Sequence, residues 1–396
     1  LDFKYIPAGT DVYGIHPYPA MFHFMVIRNL ISQYSEEKDL IFDPFAGPGV
    51  VGIECLISNR NFIGYDINPL AVLIAKVRCS PLPSRDLFRG LEEIKRNYNI
   101  AEPEKVDFPN IHYWFEEDVI KELSKLKRAI LDLKAERIKD FFKVAFSETV
   151  RRVSNTDHTE FKLLKRKKQN NFDTIRTFDE ISLRNIGLLT DFYRKFNPSN
   201  AKIVIENKNI LEDSILEDNS VDLVITSPPY GDSKTTVAYG QFSKLSLNWL
   251  GFLENVDKAS LGYKPKDITC DLPSFILYDY IDKIISKDYK RAKEVFSFYE
   301  DLFSAIKIIS KKVRPGKYVC FVVGNRRVKG VELPTDKISA DFFESLGFEH
   351  QKTIVRAISN KRMPIENAPS NVRGEKEFTM RYEYIVILKN GRRHDF

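Results

Sequence analysis

The stretch from Asp39 to Cys79, DLIFDPFAGPGVVGIECLISNRNFIGYDINPLAVLIAKVRC, restricts the possible folds more than any other part of the chain. An apolar strand from Leu40 to Phe42 runs into a glycine-rich turn and a helix. A second strand, Asn61 to Tyr65, follows, and another helix starts at Pro69. Strands and helices alternating at this length predict a doubly wound, Rossmann-like α/β sheet. Further strands are expected at Ile203 to Ile205, Val221 to Ile225, Lys317 to Val323 and Glu383 to Leu388. A helix near Phe296 and a break at Arg314-Pro315-Gly316 precede the third of these. Continuous apolar runs are what strands buried on both faces require.

These segments divide the 396 residues. Residues 1–84, 201–250 and 295–396 are expected to form the sheet domain. Residues 85–200 are charge-rich and helical in pattern, either decoration on the sheet or a substrate-recognition region. Residues 251–294 read as a second, polar insertion. With 43% hydrophobic and 29% charged residues, global disorder is excluded. No run approaches the roughly 18 apolar residues of a membrane span, and the first residues lack a secretory pattern, so a cytoplasmic protein away from membranes is expected. Cys55, Cys79, Cys270 and Cys320 form no CxxC pair and the six histidines no HxxxH spacing; neither a disulfide framework nor a metal site is expected. The net charge of +6 permits an anionic partner.

Gly47-Pro48-Gly49-Val50-Val51-Gly52 matches GxGxxG directly after a strand and at the start of a helix, and Asp66 closes the next strand. Glycines allow a sharp turn and close approach to a ligand, and the acid suits ribose hydroxyls, so a nucleoside cofactor is expected. Asp43, four residues before Gly47, opposes a pyrophosphate but suits S-adenosylmethionine, which carries an ammonium and a sulfonium and no phosphate. The plainer alternative is that Asp43 only caps the turn. At the end of the Val221 strand, Thr226-Ser227-Pro228-Pro229-Tyr230-Gly231 makes a rigid turn with free carbonyls, since each proline removes a donor and fixes φ. Alone, that turn could be a stiff strand exit.

Together, DPFAGPG and SPPY resemble the first and catalytic motifs of the amino-group DNA methyltransferases, which methylate N4 of cytosine or N6 of adenine. The resemblance implies a class I methyltransferase sheet using S-adenosylmethionine, held by Asp43, Pro44, Phe45, Gly47, Gly49, Asp66 and Ile67. Gly14-Ile15-His16-Pro17-Tyr18-Pro19-Ala20 is similar to the N-terminal motif, with His16, Pro17 and Tyr18 closing over the methionine end. Asn209 stands where the family usually has Asp, near the adenine. The long segment before Asn209 departs from the usual motif order. Ser227, Pro228, Pro229 and Tyr230 would be the catalytic turn: the Ser227 hydroxyl and Pro228 carbonyl accept hydrogen bonds from the exocyclic amine, and Tyr230 stacks on the base.

The target amine is inaccessible inside a duplex, so double-stranded DNA must present a flipped base. No cysteine follows a proline, so the Pro-Cys pair of C5 chemistry is missing. Ser before the two prolines marks mostly cytosine-N4 enzymes within the family. Adenine-N6 transfer is the alternative, followed by an RNA methyltransferase and by an NAD-dependent oxidoreductase, which would leave SPPY without a task. Residues 151–170 hold seven basic against two acidic residues. Arg151, Arg152, Lys165, Arg166, Lys167 and Lys168 are therefore candidates for DNA phosphates, the alternative being a solvated loop. Arg326-Arg327 and Lys361-Arg362 are weaker candidates. A cognate restriction endonuclease is a further expected partner.

Overall fold

Seven strands pair into one central sheet in the computed structural model, which describes residues 3, 5–157, 162–166, 172–212, 216–231, 239–252, 255–358, 366–367, 377–378 and 380–392. They are β1 (Leu40–Asp43), β2 (Asn61–Asp66), β3 (Ile203–Asn207), β4 (Val221–Thr226), β5 (Val313–Val323), β6 (Phe348–Ala357) and β7 (Tyr382–Asn390). Their order is β3-β2-β1-β4-β5-β7-β6. Strands β1 to β5 are mutually parallel, and β7 runs antiparallel to both of its neighbours. This is the doubly wound, Rossmann-like sheet expected from the βαβ pattern.

Because successive side chains point to opposite faces, each inner strand feeds two cores. Ile41, Leu223, Ile225, Cys320, Val322, Ile385 and Ile387 enter one; Phe42, Val224, Val319, Phe321, Val323, Val386 and Leu388 enter the other. On the first face lie α1 (Phe24–Tyr34), α2 (Val50–Ile57), α3 (Pro69–Arg78) and the helical segment. That segment comprises α4 (Ser84–Ile100), the short α5 (Ile111–Trp114), α6 (Glu117–Leu131), α7 (Glu136–Val153) and α8 (Thr174–Phe196). Its apolar side chains, among them Leu87, Leu123, Phe142 and Phe178, belong to the same core as β1 and β4. Helix α9 (Tyr239–Leu250) joins this face, with Trp249 fully buried among Phe108, Phe115 and Phe146. Helices α10 (Phe275–Ile285), α11 (Tyr289–Lys312) and α12 (Thr335–Glu344) cover the second face. No helix among the described residues is long and apolar enough to cross a membrane.

Two elements differ from expectation. Strand β5 starts at Val313 and runs through the Pro315-Gly316 break, because the register jumps from Val221↔Val313 to Leu223↔Tyr318. Arg314 to Lys317 thus stand opposite Asp222 alone. Its buried carboxylate takes Arg314 at 2.6 Å, Lys317 at 3.5 Å and the Leu40 amide at 2.9 Å, which stabilises the bulge. Strand β6 has no counterpart in the sequence reading. It is an edge strand whose polar run Glu349 to Lys352 is exposed, so it carries no continuous apolar signal.

The glycine turn is set by packing as well as by φ. Gly49 precedes α2 at φ +82°, and a Cβ there would lie 2.7 Å from the Ala75 Cβ on α3. Gly49→Ala should therefore lower unfolding stability by about 1–3 kcal/mol. Urea titration should show a lower midpoint at unchanged slope.

Candidate active site

Ligands of open α/β sheets bind beyond the carboxyl ends of the strands, in the crevice where strand order reverses. Here that crevice lies between β1 and β4, and their last residues touch. The Thr226 hydroxyl donates to Asp43 Oδ1 at 2.6 Å, and the same oxygen accepts the Phe45 amide at 3.1 Å. Burial pushes the Asp43 carboxyl up to about 7, with these two bonds opposing the shift and the Asp66 carboxylate adding to it. Asp43 Oδ1 caps the turn, while Oδ2 has no hydrogen-bond partner among the described residues and remains available to a cation.

Asp66 ends β2 and supports the turn directly. Its Oδ2 accepts the Gly47 amide and its Oδ1 the Asn68 amide, both at 2.8 Å, and burial raises its carboxyl to about 6. Each oxygen keeps a lone pair for a hydroxyl donor. Gly47 sits at φ +50°, and a Cβ there would meet nothing within 4 Å, so the space beside the turn is open. Pro44 is buried, Phe45 and Ile67 half-buried. Asn209 caps its own turn by accepting the Leu211 amide at 3.1 Å, and its Nδ2 reaches the Ala259 carbonyl at 3.5 Å. Two carboxylates beside an open turn fit a nucleoside that bears ammonium and sulfonium charges and no phosphate.

The N-terminal motif closes one side. The Tyr18 hydroxyl accepts from Asn68 Nδ2 at 3.0 Å, and its ring lies 6.1 Å from that of Tyr239 and 5.7 Å from that of Phe242. Asn68 also donates to Ser243 Oγ at 2.8 Å and caps α3 through Oδ1. Pro17 is exposed. His16, in contrast, has both ring nitrogens engaged within the protein. Its ring is buried between the Pro17 carbonyl at 2.7 Å and Ser147 Oγ of α7 at 2.8 Å, and burial lowers its pKa to about 4. It contributes by anchoring the motif to the helical segment, an arrangement Arg184 reinforces by donating to the Ile15 carbonyl at 3.1 Å and pairing with Glu148. Fully buried Arg78 donates to the carbonyls of Tyr13, His16 and Pro48, at 2.6, 2.8 and 3.2 Å, and so ties the motif to the glycine turn.

The SPPY turn follows Thr226 immediately. Ser227 Oγ donates toward the Val322 carbonyl at 3.2 Å and Tyr230 Oη at 3.1 Å; Tyr230 Oη donates toward Glu383 at 3.4 Å. Pro228 is buried and Pro229 half-buried. A Cβ on Gly324 would come within 2.8 Å of the Tyr230 ring, and one on Gly231 would strike the Arg326 guanidinium. Burial, then the Glu383 carboxylate, raises the Tyr230 phenol well above its ordinary value. Tyr239 joins the two halves: Asp66 and Glu383 both act on its phenol after burial.

The described cations of the basic window have different surroundings. Arg151 is buried and stacks over Phe242 at 4.5 Å, which removes it from any DNA-facing surface. Arg152 is exposed but pairs with Glu148 at 2.6 Å. Beyond α7 the chain turns back through a Thr156↔Lys165 bridge. Exposed Lys165 lies over the Tyr113 ring at 4.3 Å and Arg166 over Phe172 at 5.4 Å. Lys167, Lys168, Lys361 and Arg362 lie outside the described residues, and Arg327 pairs with Glu332 at 2.9 Å.

Sequence reasoning passed over Asn68, Arg78, Thr226, Tyr239 and Glu383. Only Asn68 had a local signal, an Asn-Pro pair at a helix start. The others matter through partners distant in the chain.

Strand order, crevice and SPPY turn together define an α/β methyltransferase. A family model described as DNA methylase matches residues 5–77. The Type II methyltransferase M.MvaI of Kocuria varians is 36% identical over 411 residues, covering 95% of this chain and 90% of its own. M.MjaII, a Type II methyltransferase of Methanocaldococcus jannaschii, is 37% identical over 67 residues, covering 17% of this chain and 13% of its own. Among solved structures, a SAM-dependent methyltransferase of Methanosarcina mazei aligns over 95% of this chain and 98% of its own, with 10% identity and a TM-score of 0.31. The chain belongs to the amino-group (N4/N6) DNA methyltransferases, whose methyl donor is S-adenosylmethionine.

The raised Asp43 carboxyl makes stability depend on pH. Its folded value of about 7 exceeds the ordinary 3.8, so between those values the folded state holds the extra proton. The contribution is full below about pH 4 and lost as pH rises through 7. Asp43→Asn, which keeps an acceptor for Thr226, should flatten the decline in denaturant midpoint between pH 5 and 7.5, read from chemical melts across that range.

Proposed function

We propose that this chain transfers the methyl group to the N4 amine of a cytosine flipped out of double-stranded DNA, as the modification partner of a cognate restriction endonuclease. The observation that carries the reading is the Ser227 hydroxyl at the carboxyl end of β4, one residue beyond the Asp43–Thr226 bond. Its own hydrogen is occupied by Val322 or Tyr230, which leaves lone pairs for an incoming amino group. The alternative within the family, adenine N6, would use the same acceptors.

The exocyclic amine is a poor nucleophile because its lone pair is delocalised into the ring. Acceptors at Ser227 Oγ and the Pro228 carbonyl favour a pyramidal nitrogen, and the rigid Pro228-Pro229 turn holds both in place. Asp43 Oδ2 would hold the cationic end of the cofactor, and Asp66 would take its ribose hydroxyls while holding the turn. Tyr18 and Tyr239 supply the aromatic wall. When bound, S-adenosylmethionine would supply an electrophilic methyl group with its thioether as the leaving group, while Ser227 and Pro228 would hold the amine, whose surplus proton would pass to water. Alignment of the two reactants is the main contribution expected of the protein, with a ceiling of roughly 7–11 kcal/mol.

Residues 1–84, 201–250 and 295–396 form the catalytic unit in this reading. Residues 85–200 brace the cofactor wall and present the turn around Lys165 to DNA, while 251–294 remain a second insertion on the opposite face. Mass spectrometry of nucleosides from treated DNA should find N4-methylcytosine, whereas N6-methyladenine would overturn the base assignment alone. Ser227→Ala should lower turnover about 10²-fold with cofactor affinity nearly unchanged. Tyr230→Ala should weaken base capture by about 1–3 kcal/mol.

Phosphate contact by exposed Lys165 and half-buried Arg166 has its own signature. Lys165→Ala with Arg166→Ala should weaken binding to all DNA sequences alike and flatten the slope of log affinity against log salt by about 0.9 per contact. An unchanged slope would leave the turn as solvated surface.

A further inference from the structure

Ser227 can accept a hydrogen bond from the target amine only if its own hydrogen is directed elsewhere, because a hydroxyl has one donor and two lone pairs. Tyr230 Oη, 3.1 Å away, takes that hydrogen only if the phenol's proton in turn points to another acceptor. Glu383 Oε1, 3.4 Å from Tyr230 Oη, is that acceptor. It lies outside every motif, on β7, directly across the ladder from Arg356 of β6. Arg356 donates to Glu383 Oε2 at 2.7 Å, and Arg356 is buried. An ionised carboxylate is acceptor-only and a guanidinium donor-only, so the pair gives the chain one direction.

We propose that Glu383, held by Arg356, is a positioning residue that orients Tyr230 and Ser227 so that Ser227 Oγ presents lone pairs to the target amine. The inference rests on the proposed role of Ser227 and holds for either base. Hydrogen runs from amine to Ser227, from Ser227 to Tyr230 and from Tyr230 to Glu383, while Arg356 donates to Glu383 from the far side. Each bond polarises the next, so the negative end at Glu383 strengthens Ser227 as an acceptor. The Val322 carbonyl, at 3.2 Å, competes for the same serine hydrogen. If it alone oriented Ser227, Glu383 would be dispensable. The two strands that complete the antiparallel edge of the sheet thereby acquire a task in the chemistry.

The test is a double-mutant cycle of Glu383→Gln and Tyr230→Phe. Its readout is the single-turnover rate of label transfer from S-adenosylmethionine to unmethylated plasmid DNA, with cofactor affinity measured by calorimetry. Glu383→Gln should lower the rate about tenfold, the equivalent of one hydrogen bond, at unchanged cofactor affinity. It should add little to Tyr230→Phe, because the chain is already cut. Glu383→Asp, which keeps the charge, should recover part of the rate. Additive losses, a wild-type rate in Glu383→Gln, or no recovery in Glu383→Asp would overturn the chain. Should Glu383→Gln not melt cooperatively, Tyr230→Phe decides by itself: a tenfold loss supports the chain and a wild-type rate overturns it. N6-methyladenine with a non-additive cycle refutes the cytosine reading and keeps the chain, whereas N4-methylcytosine with an additive cycle refutes only the chain.

Discussion

The hydrogen bond from Thr226 to Asp43 joins the ends of β1 and β4 at the point where the sheet reverses its order. On one side of it the chain enters the glycine turn; on the other it enters Ser227-Pro228-Pro229-Tyr230. One short contact thus fixes the distance between these two turns. Neighbouring contacts extend from it: Asp66 supports Gly47, Asn68 links Tyr18 to α9, and the Asp66 and Glu383 carboxylates both raise the Tyr239 phenol after burial. The desolvation of Asp43 that raises its pKa is the cost of placing this joint inside the fold.

The parts legible in the sequence were those in which a local run carries its own physical meaning. Leu40 to Phe42 and Val221 to Ile225 announce doubly buried strands, and Gly47, Gly49 and Pro228-Pro229 announce turns that few other residues can form. What stayed hidden depends on partners far along the chain. Strand β6 exposes Glu349 to Lys352 and so has no apolar run to read. The bulge at Pro315-Gly316 continues a strand because Asp222, on another strand, neutralises Arg314 and Lys317. Arg151 belongs to a basic window by composition and to an aromatic stack on Phe242 by position. His16 sits within a motif yet faces Ser147, and nothing in its neighbours' identities fixes that direction.

The helical segment is likewise more than an insertion. Its apolar faces share one core with β1 and β4, and Ser147, Glu148 and Arg184 hold the backbone and ring of the N-terminal motif. It cannot be exchanged as a separable module without exposing that core and loosening the wall beside Tyr18.

The same topology sets an order of assembly. Strand β3 pairs with β2 across 141 residues, and the Asp222 staple reaches Leu40 across 182. Contacts so distant in sequence slow folding, because loop closure must precede their gain. Helices form in about a microsecond or less, so during synthesis α1 to α8 emerge and collapse on β1 and β2 before β3, β4 and β5 exist. The inner edge of β1 gains its partner β4 only after the helical segment has been made. The long helical excursion before Asn209 thus sets how late in synthesis the two halves of the sheet can meet.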